Sequence, residues 1–166
     1  MTFDELIGPL LDREGGYVDH KNDRGGATNH GITQRVLTEW QSAHANPYKD
    51  VRALTRDDAA EIYRFLYWRP ARCDDMPEAV REIHFDTAVN SGVRRANKLL
   101  QAAAGVDDDG VIGEQTMAAV QAMDGRLLKA RYLAARYAFY GDIINRDRSQ
   151  LVFMAGWMNR MKEMGA

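Results

Sequence analysis

The sequence predicts an all-α protein, mainly helical, with room for one small β-hairpin near residues 17–32. Three observations predict it: apolar residues recur at helical spacing, short polar capping residues stand just ahead of those runs, and glycines gather between them. No repeat, low-complexity tract or linker interrupts the chain. Its 166 residues suit one compact domain spanning 1–166. With 45% apolar and 28% charged residues, it has the balance of a chain that buries a core.

The first helix rests on Phe3, Leu6, Ile7, Leu10 and Leu11, which fall on one face, and on Thr2 with Glu5, which form a capping box. Gly15 and Gly16 supply its stop. A polar, glycine-rich stretch follows, in which residues 17–18 and 31–32 are the place for the hairpin. Thr33 can cap a second helix carrying Val36, Leu37 and Trp40. Thr55 and Asp58 frame a third with Ala59, Ile62, Tyr63 and Leu66, which should end before Pro70.

Pro77 suits a first helical turn, with Val80 and Ile83 inside a helix reaching Asn90. Ala96, Leu99, Leu100 and Ala103 mark the next, stopped by Gly105. In "GVDDDGVIG", Asp109 and Gly110 should bend the chain while Val111 and Ile112 pack inward. Helices near 114–123, 126–144 and 150–162 complete it.

Composition excludes several functions. A formal charge of −2 gives no global attraction to nucleic acid or anionic membranes. The basic cluster Arg94, Arg95 and Lys98 reads as a solvated helix face, so no nucleic-acid partner is expected. Cys73, the single cysteine, has no internal disulfide partner and no nucleophile motif around it. Residues 1–11 carry Asp4 and Glu5 within their apolar pattern and lack a basic start, unlike a signal peptide. Nothing approaches the roughly 18 apolar residues of a membrane span, so no membrane insertion is expected. The chain should be made in the cytoplasm and need another exit for work outside it.

No metal or cofactor is expected either. His20, His30, His44 and His84 lack the i, i+4 spacing of a helical zinc site. The string from Asp19 to His30 has Arg24 and His30 where a calcium loop needs a glycine and an acid.

Glu14 is the chemically suggestive residue. It lies eleven positions after Phe3, and eleven steps of 100° return to within about 20° of the same direction. It should therefore project from the buried face, at the helix C-terminus. Partial desolvation and the negative end of the helix dipole both favour a protonated carboxyl, the requirement for a general acid near neutral pH. A frayed, solvated helix end is the alternative. The neighbours weigh against it: Asp23 follows nine residues on and Thr28 five after that. Gly25 and Gly26 between them allow a tight turn back toward the helix. Paired carboxylates around a scissile bond are the working parts of a glycosidase.

"EGGYVDHKNDRGGATNHGIT" resembles the signature of the lysozyme-like N-acetylmuramidases of glycosyl hydrolase family 108. Downstream, "IYRFLYW", "FDTAVNSG", "LLQAAAGVDDDGVIGEQT" and "GWMNR" are similar to segments of the peptidoglycan-binding region that accompanies it. The likeness covers nearly the whole chain. It implies a lysozyme-like fold, with residues 1–90 carrying the catalytic motif and 91–166 a peptidoglycan-binding-like helical region. Members occur among phage endolysins and bacterial secretion activators.

The resemblance implies that Glu14 is the catalytic acid, and that Asp23 and Thr28 handle the attacking water. The family usually has proline after that aspartate. Here it is Arg24, whose charge could hold Asp23 ionised. Tyr17, inside the motif, and His30 are candidate substrate-binding residues. Asn90 either caps the following helix or faces the saccharide. The expected substrate is the glycan strand of peptidoglycan, cut between N-acetylmuramic acid and N-acetylglucosamine in the periplasm or cell wall, reached through a holin or another export route. A lytic transglycosylase acting on the same bond is one rival. A non-catalytic peptidoglycan-binding or secretion accessory protein is another.

Overall fold

The computed structural model describes residues 1–19, 26–44 and 50–165. Among them the protein is mainly α, with eight α-helices and one two-stranded sheet. The helices divide between two compact units, Met1–Leu66 and Tyr67–Ala166.

The first unit opens with α1, Phe3–Glu14. Thr2 Oγ1 accepts from the Glu5 amide at 3.4 Å while Glu5 Oε2 accepts from the Thr2 amide at 2.6 Å, so the capping box forms. Phe3, Leu6, Ile7, Leu10 and Leu11 are all buried, and Gly15 at φ 77° ends the helix. Two arginines of α3, Arg56–Tyr63, and the turn after it bind α1. Arg56 reaches the Gly8 carbonyl and Asp12, each at 2.8 Å, and Arg64 reaches Asp4 at 2.7 Å.

Between these helices, β1 (Thr28–Asn29) pairs antiparallel with β2 (Ile32–Thr33), Thr28 opposite Thr33 and Asn29 opposite Ile32. Thr33 then caps α2, Gln34–Ala43. The hairpin thus stands in the expected stretch, but its turn is His30–Gly31. Val18 pairs with Thr28 rather than with residues 31–32.

The second unit holds α4 (Glu78–Ser91), α5 (Val93–Ala104), α6 (Glu114–Ala122), α7 (Gly125–Arg146) and α8 (Met154–Glu163). Its core joins Val80 and Ile83 of α4, Leu99 and Leu100 of α5, Val120 of α6 and Leu128 of α7. In α4 the six successive residues from Ile83 to Ala88 are buried, so this helix is covered all round and its polar side chains need internal partners.

His84 illustrates the consequence. Its Nε2 lies 3.0 Å from the Ala71 carbonyl, which can only accept, so that nitrogen carries a proton; Nδ1 faces the Tyr132 hydroxyl at 3.1 Å. Burial pulls its pKa down to about 4, against the weaker opposing effect of the Ala71 bond. An unfolded histidine titrates near ~6.5. Between the two values the unfolded chain binds the extra proton, so folding stability is lost as pH falls through that window. The loss is about 3 kcal/mol at roughly 1.4 kcal/mol per pKa unit. Urea midpoints measured from pH 7 to pH 4 should show this slope in wild type and a shallower one in His84→Gln; identical slopes would remove His84 as the source.

The "GVDDDGVIG" connection is built by α5. Gln101 Nε2 donates to Asp109 Oδ1 at 2.8 Å and to the Val111 carbonyl at 3.0 Å, its Oε1 accepts from the Gly110 amide at 2.8 Å, and Asn97 Nδ2 holds the Gly110 carbonyl at 3.0 Å. Ile112 is buried as expected, but Val111 is 67% exposed. Successive residues of an extended segment point opposite ways, so both cannot face one core. The basic cluster serves the same loop and α7: Arg94 bonds the Asp109 carbonyl, Lys98 pairs with Asp108, and Arg95 lies over the Phe139 ring. Cys73 is buried, and burial pushes its thiol far above the ordinary range, so it is no nucleophile.

Candidate functional site

Glu14 is the last residue of α1, half-buried, one helical turn beyond Leu11 on the face that carries the core. Its carboxyl meets the hairpin turn. A side chain at position 31 would place its first carbon 2.8 Å from Glu14 Oε2, 3.2 Å from Glu14 Cγ and 2.5 Å from the Tyr63 hydroxyl. Only glycine fits between these groups, and its φ of 75° requires glycine on conformational grounds as well.

His30 precedes it at φ 50°, completing the pair of positive φ angles that a two-residue hairpin turn demands. Histidine tolerates that region better than most side chains do. The His30 carbonyl accepts from the Tyr63 hydroxyl at 3.1 Å. Its ring Nδ1 is enclosed, with no hydrogen-bond partner among the described residues.

The strand beside the turn is fixed from below. Asn29, 6% exposed, donates from Nδ2 to the carbonyls of Val51 at 3.0 Å and Leu54 at 3.1 Å, pinning the 3-10 turn Val51–Ala53. Gln34 Oε1 accepts the Val51 amide at 2.7 Å. That turn carries Arg52, whose guanidinium donates to the Tyr17 hydroxyl at 2.8 Å and lies 4.9 Å from the Tyr17 ring centre. Tyr17 in turn donates to Asp19 at 3.2 Å. One face of Tyr17 is therefore committed to Arg52.

Thr28 lies in β1, exchanging backbone hydrogen bonds with Val18 at 2.8 and 2.9 Å. Glu14 thus lies against Gly31 of the turn that His30 begins, while Thr28 stands on β1 and Tyr17 precedes Val18, its partner. Asp23 lies outside the described residues, as do His20, Arg24 and half of the calcium-like string. Asn90 belongs to the other unit, exposed in the last turn of α4. Gly92 is the N-cap of α5 and no side chain caps that helix, so the capping alternative for Asn90 is not realised. Among the described residues no three His, Cys, Asp or Glu side chains gather as around a metal ion, and no helix is long and apolar enough to cross a membrane.

Gly31, Tyr63, Asn29 and Arg52 were not singled out for the site by sequence. A two-residue "HG" between short β-prone pairs was the available signal for Gly31. Tyr63 reads from sequence as one more apolar position on its helix.

A family model described as Glycosyl hydrolase 108 matches residues 7–92, and one described as Predicted Peptidoglycan domain matches residues 95–162. Among solved structures, the chain is similar to that of Brucella abortus SagA at 38% sequence identity with a TM-score of 0.81, over 98% of this chain and 90% of that one. No curated protein matches the chain in sequence.

Proposed function

The chain belongs to the glycosyl hydrolase 108 family, with a predicted peptidoglycan domain following the hydrolase region, and from that premise we propose that it is an N-acetylmuramidase. It hydrolyses the β-1,4 bond between N-acetylmuramic acid and N-acetylglucosamine. The observation that carries this reading is the half-buried Glu14 carboxyl, delivered by the end of α1 against the glycine of the hairpin turn.

Glu14 donates its proton to the glycosidic oxygen as the bond to the sugar carbon breaks. The carbon then carries oxocarbenium-like positive charge. Asp23 with Thr28 orients a water for attack on it, and Asp23 stabilises the charge while accepting the water's proton. Tyr17 and His30 border the saccharide, and Asn90, in the second unit, is a further candidate for saccharide contact. The protein acts on cell-wall peptidoglycan after leaving the cytoplasm, in lysis or in opening the wall for export.

Product chemistry tests the proposal. Purified sacculi digested with the protein should release muropeptides ending in reducing N-acetylmuramic acid, heavier by one water than the anhydro form. Anhydro ends would make the protein a lytic transglycosylase. Release of nothing, with binding to sacculi retained, would make it a wall-binding accessory.

A further inference from the structure

We infer that Tyr63 is a positioning residue for the Glu14 carboxyl, acting through the His30–Gly31 turn; the inference rests on the assignment of Glu14 as the acid. Tyr63 ends α3 and is 3% exposed, so its ring is fixed by the surrounding core. Its hydroxyl is the polar end of an otherwise apolar anchor. It donates to the His30 carbonyl at 3.1 Å.

That carbonyl belongs to the same planar peptide as the amide of Gly31. A hydrogen bond to the oxygen therefore sets the tilt of the unit that leads into the Gly31 Cα. Glu14 approaches that Cα from the same side as Tyr63: a first side-chain carbon there would lie 2.5 Å from one oxygen and 2.8 Å from the other. The turn is thus held between the hydroxyl and the carboxyl. His30 at φ 50° is in a region most side chains avoid, so without the hydroxyl the turn has less to hold it there. A small rotation of this peptide moves the surface against which the acid is placed. Proton delivery to a glycosidic oxygen is sensitive to such shifts, since a misplacement of about 1 Å can cost on the order of 100-fold in rate.

Tyr63→Phe removes only the hydroxyl and keeps the ring. On purified sacculi it should lower kcat about 10- to 100-fold with KM within about twofold. It should also displace the pH profile of kcat, while circular dichroism and the melting temperature stay near wild type. A purely structural tyrosine would change the melting temperature and leave the pH profile in place. Gly31→Ala disturbs the same contact from the turn side, pressing a carbon against the Glu14 and Tyr63 oxygens, and should lower kcat at least as far. Wild-type kcat and pH profile in folded Tyr63→Phe, or in folded Gly31→Ala should Tyr63→Phe not fold, would overturn the inference. Glu14→Gln run in parallel separates the two levels. If Glu14→Gln is inactive and Tyr63→Phe is wild type, only the positioning role falls; if Glu14→Gln is itself active, the acid assignment falls and takes this role with it.

Discussion

Replacing Glu14 by glutamine is expected to lower the rate of sacculus hydrolysis by a factor of roughly 10² to 10⁴, the usual span for a general acid. Glutamine keeps the length and planarity of the side chain but has no carboxyl proton to give. The fold should survive, because the buried face of α1 ends at Leu11 and the stop at Gly15 is a backbone feature. The exchange also takes an acidic group away from the negative end of the helix dipole, so it carries no expected stability loss. A second substrate separates general-acid catalysis from simple disturbance of the cleft. An aryl glycoside whose phenolate leaves without protonation should be cleaved by the variant at a rate much closer to wild type than sacculi are. Equal clearing of cell walls by both proteins in a zymogram would remove Glu14 from the mechanism.

Much of the scaffold around that residue was legible because it is local. Thr2 and Glu5 announce the start of α1, Thr33 and Thr55 cap the next two helices, and Gly105 stops α5, each through contacts within a few residues. The placement of Glu14 at the edge of the buried face followed from the helical period alone. What was not legible depends on groups distant in sequence. Two-residue strands carry no period, so the pairing of Val18 with Thr28 and the turn at His30–Gly31 had to come from the fold. Tyr63 meets His30 across 33 positions, and Asn29 meets Val51 and Leu54 across 22 and 25. The motifs "FDTAVNSG" and "GWMNR" were recognisable as strings. Their shared physical purpose, an ion pair between residues 74 apart, was not.

That ion pair leads to the largest expected effect on stability. Asp86 of α4 is 2% exposed; it accepts a hydrogen bond from Arg160 of α8 at 2.8 Å and forms an ion pair with Arg136 of α7, also at 2.8 Å. Burial works most strongly against the charge of Arg136, and Asp86 and the Tyr140 hydroxyl together outweigh it, holding the guanidinium above its ordinary value. The helix α8 buries only Met161 of its own residues, so this triad and the stacking of Trp157 on Tyr140, ring centres 4.7 Å apart, contribute much of what fastens it. Asp86→Ala leaves two cations facing each other in a site built for an anion. Removing one partner of a buried pair costs about 3–5 kcal/mol, a large share of the roughly 5–15 kcal/mol that holds a domain folded. A drop in melting temperature on the order of 10 °C follows. Protease sensitivity should rise first at Leu151, Val152, Phe153 and Met154, which are already exposed where α8 begins. The opposite design checks the cause. Asp86→Leu combined with Arg136→Met and Arg160→Met removes all three charges, and an apolar replacement of a whole buried cluster is often neutral or stabilising. The triple variant should therefore be more stable than Asp86→Ala; if it is less stable, loss of packing rather than stranded charge explains the single variant.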